Sequence, residues 1–294
     1  MANKESMTDN ATNSPINSAP APDSTIDNVT DKLFINVLAR SFRVLEVFRY
    51  KNCPLSFSEL VQETGLNRSA VQRILHTLKT LHYLDQTPET KKYFLSLRML
   101  RLSQAALAHD VIKELAVPFL EKLNKYTAET VNLMIPEGNE IVYIERFPSF
   151  HAVSVDLKVG SRLPIYCTAA GRVFLAYMPQ NEAHERLLQS EREKMTTHTI
   201  TELDAIKGKL DEIRTQGYAL NNQEAFIGDI SIAAPIFNEL GMPVAAVNVA
   251  VLYPRWEIET ARTQLVPKVL KTAKEITKAL IEHSSRKTLR VKNR

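Results

Sequence analysis

The sequence contains little cysteine and no long apolar run. Its two cysteines among 294 residues stand far apart and outside any CxxC or Cys/His spacing. That scarcity argues against a disulfide framework or a zinc finger and favours a reducing compartment. No apolar run approaches the length of a membrane span, and residues 1–28 lack the apolar centre of a signal peptide. We therefore expect a cytoplasmic protein that has no membrane partner.

Catalytic motifs are absent as well. The chain contains no GxSxG, no Walker loop, no dinucleotide-binding glycine fingerprint and no HExxH. Its seven histidines are scattered without the paired spacing of metal ligands, so surface or core histidines are the simpler interpretation. The sequence therefore predicts no catalytic residue, no cofactor and no metal site, although catalytic residues need not be neighbours in sequence.

Charge divides the chain into parts. Residues 31–101 hold twelve Lys and Arg against six Asp and Glu, whereas residues 102–282 hold 19 against 23. The last twelve residues carry five basic groups and no acid. A basic small domain joined to a mildly acidic larger one is typical of a nucleic-acid reader attached to another module. Chance variation in surface charge is the alternative that charge alone leaves open.

Residues 54–95 predict a helix, a tight turn, a second helix and a β-hairpin, preceded by an amphipathic helix over 32–50. Ser56 stands three positions before Glu59, which is the capping-box spacing. The short helix that it opens ends at Gly65, a residue able to take the left-handed conformation of a tight helix-helix turn. This order of elements is typical of a helix-turn-helix.

The second helix is predicted to present a polar face. Asn67 caps it, and its buried stripe is Val71, Ile74, Leu75 and Leu78. The residues predicted to contact DNA at its start and on the opposite face are Arg68, Ser69, Ala70, Gln72, Arg73 and His76. Arg and Gln fit guanine and adenine edges in the major groove, and a recognition helix makes such contacts in its first turns. A solvated face on an ordinary helix is the alternative, but the capped helix, the turn and the hairpin favour DNA.

The hairpin that follows predicts a wing. Two short strand-like runs, 83–84 and 93–95, flank a polar turn. Lys91 and Lys92 lie where a wing touches phosphates rather than bases. Arg40 and Arg43 on the first helix are predicted to contact the DNA backbone, and the two caps, Ser56 and Asn67, are further predicted DNA contacts.

The rest of the chain predicts an α+β domain on an antiparallel sheet. Residues 98–126 are helical in pattern, with Pro118 marking a break or kink. Two hairpins are predicted, TVNLMIP with EIVYIERF and ISIAAPIF with PVAAVNVAV, and HAVSVDL over 151–157 alternates like a further strand. Further predicted helices cover 168–178, about 181–191, 202–216 and about 257–282.

Thr168 opens one of these helices and favours an anion site. It is followed by Ala169, Ala170 and Gly171. Free N–H groups at a helix start attract an anion, and three small residues let a carboxylate approach the backbone. An ordinary capped helix packed closely on the sheet is the alternative.

Asn248 is a polar residue inside the apolar strand AAVNVAV, and a buried amide must find partners. If the second hairpin turns near 239–241, Ser231 lies almost opposite Asn248 on the same face of the sheet. The two side chains could pair with each other, or they could await a ligand.

These residues resemble the IclR-type transcriptional regulators. The matching stretches, within residues 33–282, are LARSFRVLEVF, FSELVQETGLNRSAVQRILHTLKTLHYL, ERFPSFHAVSVDLKVGSRLPIYCTAAGRVFLA and GDISIAAPIFNELGMPVAAVNVAV. The resemblance implies a winged helix-turn-helix and a GAF-like effector-binding domain. It also implies a homodimer or dimer of dimers that binds a double-stranded DNA operator. A small organic-acid effector then changes promoter output, with RNA polymerase as a further partner.

The resemblance also implies the residues of the effector pocket. Together with Thr168 they are Leu163, Ala169, Ala170, Asn221, Ser231, Asn248 and Ala250. Some relatives have an acid or Cys at the positions of Asn221 and Ser231, and others have Ser at those of Asn248 and Ala250, so no particular ligand is implied. Arg146 and the pair Arg255-Trp256 resemble features of regulators of aromatic-compound catabolism.

The predicted organisation is a disordered leader over 1–30, a winged helix-turn-helix over 31–96, a linker helix over 97–112, an effector-binding domain over 113–284 and a basic tail over 285–294. The alternative function is a ligand-binding module or enzyme whose helical N-terminus serves oligomerisation. Turnover of a bound acid without any DNA binding would favour that alternative.

Overall fold

The computed structural model describes residues 31–108, 111–152, 155–253 and 255–292. The chain divides into two compact units, Met1–Ala108 and His109–Arg294. The predicted leader lies outside the described residues.

Unit 1 contains three helices, a hairpin and a fourth helix. In chain order these are α1 (Asn36–Lys51), α2 (Phe57–Thr64), α3 (Arg68–Thr80), β1 (Leu84–Gln86), β2 (Tyr93–Leu95) and α4 (Arg98–Ala108). The two strands pair antiparallel. Leu55 adds a bridge to Tyr93, with N–H to O distances of 2.9 and 2.7 Å in the two directions. These two hydrogen bonds hold the hairpin against the segment that precedes α2.

Local chemistry explains the helix ends in unit 1. Ser56 and Glu59 form the predicted capping box, and Asn67 caps α3. Gly65 ends α2 at a φ of 66°, in the left-handed region that a residue without a Cβ enters freely. The core beneath these helices is apolar throughout and consists of Val44, Val47, Phe48, Leu55, Leu60, Leu66, Val71, Ile74, Leu75, Leu78 and Leu84.

Unit 2 contains a six-stranded antiparallel sheet and five helices among its described residues. Its elements are α5 (Val111–Thr127), β3 (Thr130–Glu137), β4 (Glu140–Phe147), β5 (Arg162–Pro164), α6 (Ala169–Tyr177), α7 (Gln180–Gln189), α8 (Leu203–Gln216), β6 (Ala219–Asn222), β7 (Asp229–Phe237), β8 (Pro243–Leu252) and α9 (Ile258–Lys292). The strand order is β5-β4-β3-β8-β7-β6. The α+β fold with an antiparallel sheet agrees with the sequence prediction.

The sheet joins the two predicted hairpins through its middle. The β3–β4 hairpin and the β7–β8 hairpin meet where β3 pairs with β8. Nearly every residue of β7 is buried, which requires cover on both faces of the sheet. Helix α5 packs against α9 and α6 packs against α8, and α5, α6 and α9 contact the strands.

Three local expectations differ from the structure. The alternating stretch at 151–157 forms no strand in its described part. Helix α5 continues through Pro118. Helix α9 continues to Lys292, so the backbone of most of the predicted basic tail is helical.

Candidate functional site

One face of α3 carries polar and basic side chains into solvent. Its opposite stripe is buried in the core of unit 1, as predicted. The exposed residues are Arg68, Ser69, Gln72, Arg73 and His76, with Ala70 half-buried beside them. The structure therefore gathers the predicted DNA-reading residues on a single helix face.

The two arginines on this face have different surroundings. The Cζ atom of Arg68 lies 4.8 Å from the centroid of the Phe57 ring at the start of α2, and this cation–π contact restricts the guanidinium. The side chain of Arg73 makes no hydrogen bond or ion pair with a residue that the structure describes. Arg73 is therefore the guanidinium that is more available to a partner.

Ser56 and Asn67, two of the predicted DNA contacts, serve as helix caps. Ser56 Oγ accepts a hydrogen bond from the Glu59 N–H at 3.3 Å, and Glu59 Oε2 accepts one from the Ser56 N–H at 2.6 Å. The latter bond holds the pKa of Glu59 below its usual value. Asn67 Oδ1 accepts from the Ala70 N–H at 2.8 Å. A phosphate contact by either cap stays a prediction.

The basic residues outside α3 are not equally accessible. Lys91 is exposed on the wing, whereas Lys92 is half-buried and its Nζ lies 3.6 Å from Glu59 Oε2. On α1, Arg40 is half-buried and Arg43 is buried. Arg43 is therefore less accessible to a phosphate than Lys91, and its contact with DNA stays a prediction.

Unit 2 contains a cavity of about 580 Å³, counted with its open mouth, between one face of the sheet and the start of α6. Every predicted effector residue lines it: Leu163, Thr168, Ala169, Ala170, Asn221, Ser231, Asn248 and Ala250. The strand register explains part of this convergence, because Thr130, Ala250, Ser231 and Asn221 pair in one row across four strands. A row of paired residues lies on one face of a sheet.

The register places Ser231 and Asn248 on the same face of the sheet, as expected, but not in direct opposition. Ser231 lies opposite Ala250, and Asn248 lies opposite Ala233 on that side. Asn248 and Ser231 share a face but are diagonal neighbours. On its other side Asn248 pairs with Asn132.

Asn132 links Asn248 to a charged side chain. Asn132 Nδ2 donates to Asn248 Oδ1 at 2.8 Å, and Arg146 Nη1 donates to Asn132 Oδ1 at 3.0 Å. Arg146 Nη2 donates to the Val155 carbonyl at 2.7 Å. The buried amide of Asn248 therefore finds its partner within the sheet and is held in place by this network.

The start of α6 presents backbone donors to the cavity. Thr168 Oγ1 accepts from the Gly171 N–H at 3.2 Å and donates to the Pro164 carbonyl at 3.0 Å. The N–H groups of Ala169 and Ala170 find no acceptor among the described residues. Two free donors at a helix N-terminus form a favourable environment for an anion.

Gly171 lets this helix start lie close to the backbone. A Cβ at Gly171 would stand 2.1 Å from the carbonyl oxygen of Ile165. No side chain fits at that distance, so the position of α6 relative to the cavity requires glycine, which has no Cβ, at residue 171.

Asn221 lines the cavity, but its amide has a structural role. Its Nδ2 donates to the Cys167 carbonyl at 2.6 Å, and its Oδ1 accepts from the Glu224 N–H at 3.1 Å. Nearby, Arg172 and Glu224 form a buried bidentate ion pair at 2.5 and 2.6 Å. These contacts fix the start of α6 against the segment after β6.

Residues that the sequence did not single out complete the cavity. Glu129 is buried and accepts from Arg255 at 3.1 and 2.6 Å and from Trp256 Nε1 at 2.7 Å. Asp229, at the start of β7, is buried with its side chain on the cavity. Burial raises the pKa of Asp229 to about 7, against the opposing effect of Arg146. Burial, together with the charge of Asp229, also raises the pKa of Tyr143.

Both units match known families. Residues 37–88 match the IclR helix-turn-helix domain, and residues 104–278 match the C-terminal domain of the bacterial transcriptional regulator IclR. This chain belongs to the IclR family. Its function is ligand-responsive transcriptional regulation.

Relatives of this IclR-family chain match over most of its length. The Pca regulon regulatory protein of Pseudomonas putida is 31% identical over 247 residues, covering 84% of each chain. The p-hydroxybenzoate hydroxylase transcriptional activator of Acinetobacter baylyi is 28% identical over 83% of this chain and 91% of its own. An IclR homolog from Microbacterium hydrocarbonoxydans, crystallised with 4-hydroxybenzoate, is 25% identical with a TM-score of 0.70, over 83% of this chain and 98% of its own.

Two features are absent from the part of this IclR-family chain that the structure describes. Within the described ranges, no helix is long and apolar enough to cross a bilayer. Over the same ranges, no three Cys, His, Asp or Glu side chains come together as metal ligands.

Proposed function

We propose that the chain binds a double-stranded DNA operator through the exposed face of α3 and the wing. The observation that carries this proposal is the capped α2–α3 pair, whose buried stripe leaves Arg68, Gln72 and Arg73 together on the exposed face. The arginines would read guanine edges and Gln72 an adenine edge in the major groove. Lys91, with Lys92, would contact phosphates and set the register of the helix on the duplex.

Unit 2, in this proposal, binds a small organic acid in its cavity. The free N–H groups of Ala169 and Ala170 would hold the carboxylate at the positive end of α6. Ser231 Oγ and Asn248 Nδ2 line the cavity without a hydrogen bond to any described residue, so both can orient the ligand. The bound acid acts as an effector and is not converted.

The effector class that we propose is a carboxylate from catabolism, with aromatic acids as the leading group. Two relatives support this choice: the p-hydroxybenzoate hydroxylase activator and the homolog crystallised with 4-hydroxybenzoate. The regulated genes would then encode enzymes that consume such an acid.

We also propose that the chain self-associates as a dimer or a dimer of dimers. Apolar side chains are exposed along and beside two helices of unit 1: Ile35, Val37, Leu38 and Phe42 at α1, and Leu97, Leu100 and Leu102 at α4. A second copy that buries these side chains would also place a second α3 on the operator, as two-fold operators require. RNA polymerase would be the partner through which operator binding changes transcription.

A gel-shift titration with DNA from upstream of the gene tests the proposal. Binding should fall by about a thousandfold or more between 50 and 200 mM salt if several phosphates are contacted. A thermal-shift screen of carboxylates tests the cavity, because a ligand at a hundred times its Kd should stabilise unit 2 by about 2.7 kcal/mol. Carboxylate binding and turnover with no DNA binding at any salt concentration would contradict the proposal.

A further inference from the structure

Asp229 differs from the other charged groups of the cavity. Glu129 is paired with Arg255, and Arg146 donates to Asn132 and Val155. The carboxylate of Asp229 forms no hydrogen bond or ion pair with any residue that the structure describes. Its backbone is fixed, since its N–H donates to the Phe226 carbonyl at 3.1 Å and its carbonyl accepts from the Gln223 N–H at 2.7 Å.

The position of Asp229 directs its side chain into the cavity. Asp229 precedes Ser231 by two residues on β7 and therefore lies on the same face of the sheet. It is 7% exposed, and it lines the same cavity as the start of α6. A carboxyl group buried without a partner is unfavourable. A ligand that supplies a hydrogen-bond donor at this point recovers part of that cost.

The cavity thus offers two kinds of polar contact to one ligand. Ala169 and Ala170 present donors that favour a carboxylate, while Asp229 presents acceptors that favour a hydroxyl. We propose that Asp229 is a specificity-determining residue that selects hydroxylated carboxylic acids over their deoxy counterparts, by accepting a hydrogen bond from the ligand hydroxyl. This inference rests on the proposed effector role of the cavity.

The chemistry of a hydroxyl suits both protonation states of Asp229. An ionised carboxylate accepts from the hydroxyl, and a protonated one can also donate to the hydroxyl oxygen. A keto or ether oxygen can only accept and therefore matches only the protonated form. Because burial raises the pKa of Asp229 to about 7, the carboxylate is largely ionised at pH 8, where the preference for a hydroxyl over a keto group should be strongest.

The test is titration calorimetry at pH 8 with two matched pairs, 4-hydroxybenzoate with benzoate and 3-hydroxybutanoate with butanoate. In at least one pair the hydroxylated member should bind the full chain about ten- to a hundredfold more tightly, the range for a hydrogen bond to a charged group. Asp229→Ala should abolish this ratio. Asp229→Asn keeps the side-chain shape and should reduce the ratio to a few-fold. Asp204→Asn, at an exposed acid of α8, is the matched control and should leave it unchanged.

Three results would overturn the inference, and the first two would leave the proposed function standing. If carboxylates bind and release the operator but the two members of each pair bind equally, the effector role stands and the role of Asp229 is wrong. The same holds if the ratio survives in both Asp229 variants. If none of the four carboxylates binds and a wider carboxylate screen also fails, the effector role and the inference fall together.

Discussion

Asn132 Nδ2 donates a 2.8 Å hydrogen bond to Asn248 Oδ1 across 116 residues of sequence. The bond lies at the junction of β3 and β8, where the two hairpins of unit 2 meet. Both side chains are buried, and Arg146 extends the network at 3.0 Å. The Asn248 side chain therefore depends on Asn132 for its hydrogen bond within the sheet, and this bond orients Asn248 in the cavity.

Removing either asparagine should have a distinct effect. Asn132→Ala leaves Asn248 Oδ1 and Arg146 Nη1 without their partner, so we expect the free energy of unfolding to fall by about 1–3 kcal/mol. Asn248→Leu should abolish the thermal shift produced by a bound carboxylate. Urea unfolding and thermal-shift titration measure the two effects. Asn222→Leu, on the edge strand β6 and outside the cavity lining, is the control. A shift that persists in Asn248→Leu would contradict the pocket assignment.

Arg73 and Lys91 should affect DNA binding in different ways. On the proposed interface Arg73→Ala removes a base contact, so it should cost about 1–3 kcal/mol and relax sequence preference. On the same interface Lys91→Ala removes a proposed phosphate contact, so it should weaken binding to all sequences and reduce the salt slope by about 1 per copy bound. Gel shifts with specific and random DNA distinguish the two patterns.

Arg49→Ala is the control for both variants, because Arg49 is exposed on α1 and paired with Glu46. Unchanged operator affinity in Arg73→Ala would show that another face of unit 1 reads the DNA.

Gly171 and Gly208 offer a matched pair of glycine substitutions within helices. Gly171→Ala places a Cβ 2.1 Å from a backbone oxygen, and overpacking of this kind should destabilise unit 2 by about 3 kcal/mol or more. Gly208→Ala, in the exposed part of α8 with nothing within 4 Å, should stabilise by up to about 1 kcal/mol. Urea unfolding checks both signs. A stable Gly171→Ala protein that keeps its carboxylate affinity would show that α6 can shift away from Ile165.

Asp229 should make stability depend on pH. Its pKa is 3.8 as an unperturbed group and about 7 in the folded protein. Between these values the folded state holds a proton that the unfolded chain releases, so the free energy of unfolding falls as pH rises through this window. Above pH 7 both states are ionised and this contribution no longer changes.

Asp229→Asn removes that contribution and provides the test. The stability of the variant relative to wild type should grow by about 3 kcal/mol between pH 5 and pH 8. The other titratable and charged groups that line the cavity are Arg146 and Tyr143 from β4 and the Glu129–Arg255 pair. The substitution leaves these groups unchanged, so their contributions should largely cancel in the difference between variant and wild type. Urea unfolding at the two pH values measures the difference, and a constant difference would place the pKa of Asp229 near its ordinary value.

Local signals in the sequence predicted much of the fold. The capping box at Ser56, the left-handed turn at Gly65, the cap at Asn67 and both hairpins of unit 2 were predicted and occur. Each depends on residues that are close in sequence, where side-chain and backbone chemistry act directly. The short strands β5 and β6, of three and four residues, lacked such a signal and were missed.

The cavity was predictable only in part, because its contacts depend on strand pairing. Thr168 and Asn248 stood out as a cap before small residues and as an amide in an apolar strand. Asn132 did not, since its role appears only when β3 pairs with β8. Asp229 follows a glycine at the start of a strand and resembles a turn residue in sequence, so its burial depends on the fold around it.

Because β3 pairs with β8, the cavity of unit 2 is complete only when the whole unit is present. The cavity is lined by residues from Glu129 to Arg255, which belong to or flank both hairpins and the start of α6. No shorter fragment contains a complete site, so a partly translated or proteolysed chain could bind DNA yet be unable to respond to the effector. Effector binding would in turn stabilise the pairing of β3 with β8, the first and last strands of unit 2 in chain order, and slow hydrogen exchange of their amides. Only a chain with a complete and folded unit 2 would thus respond to the effector.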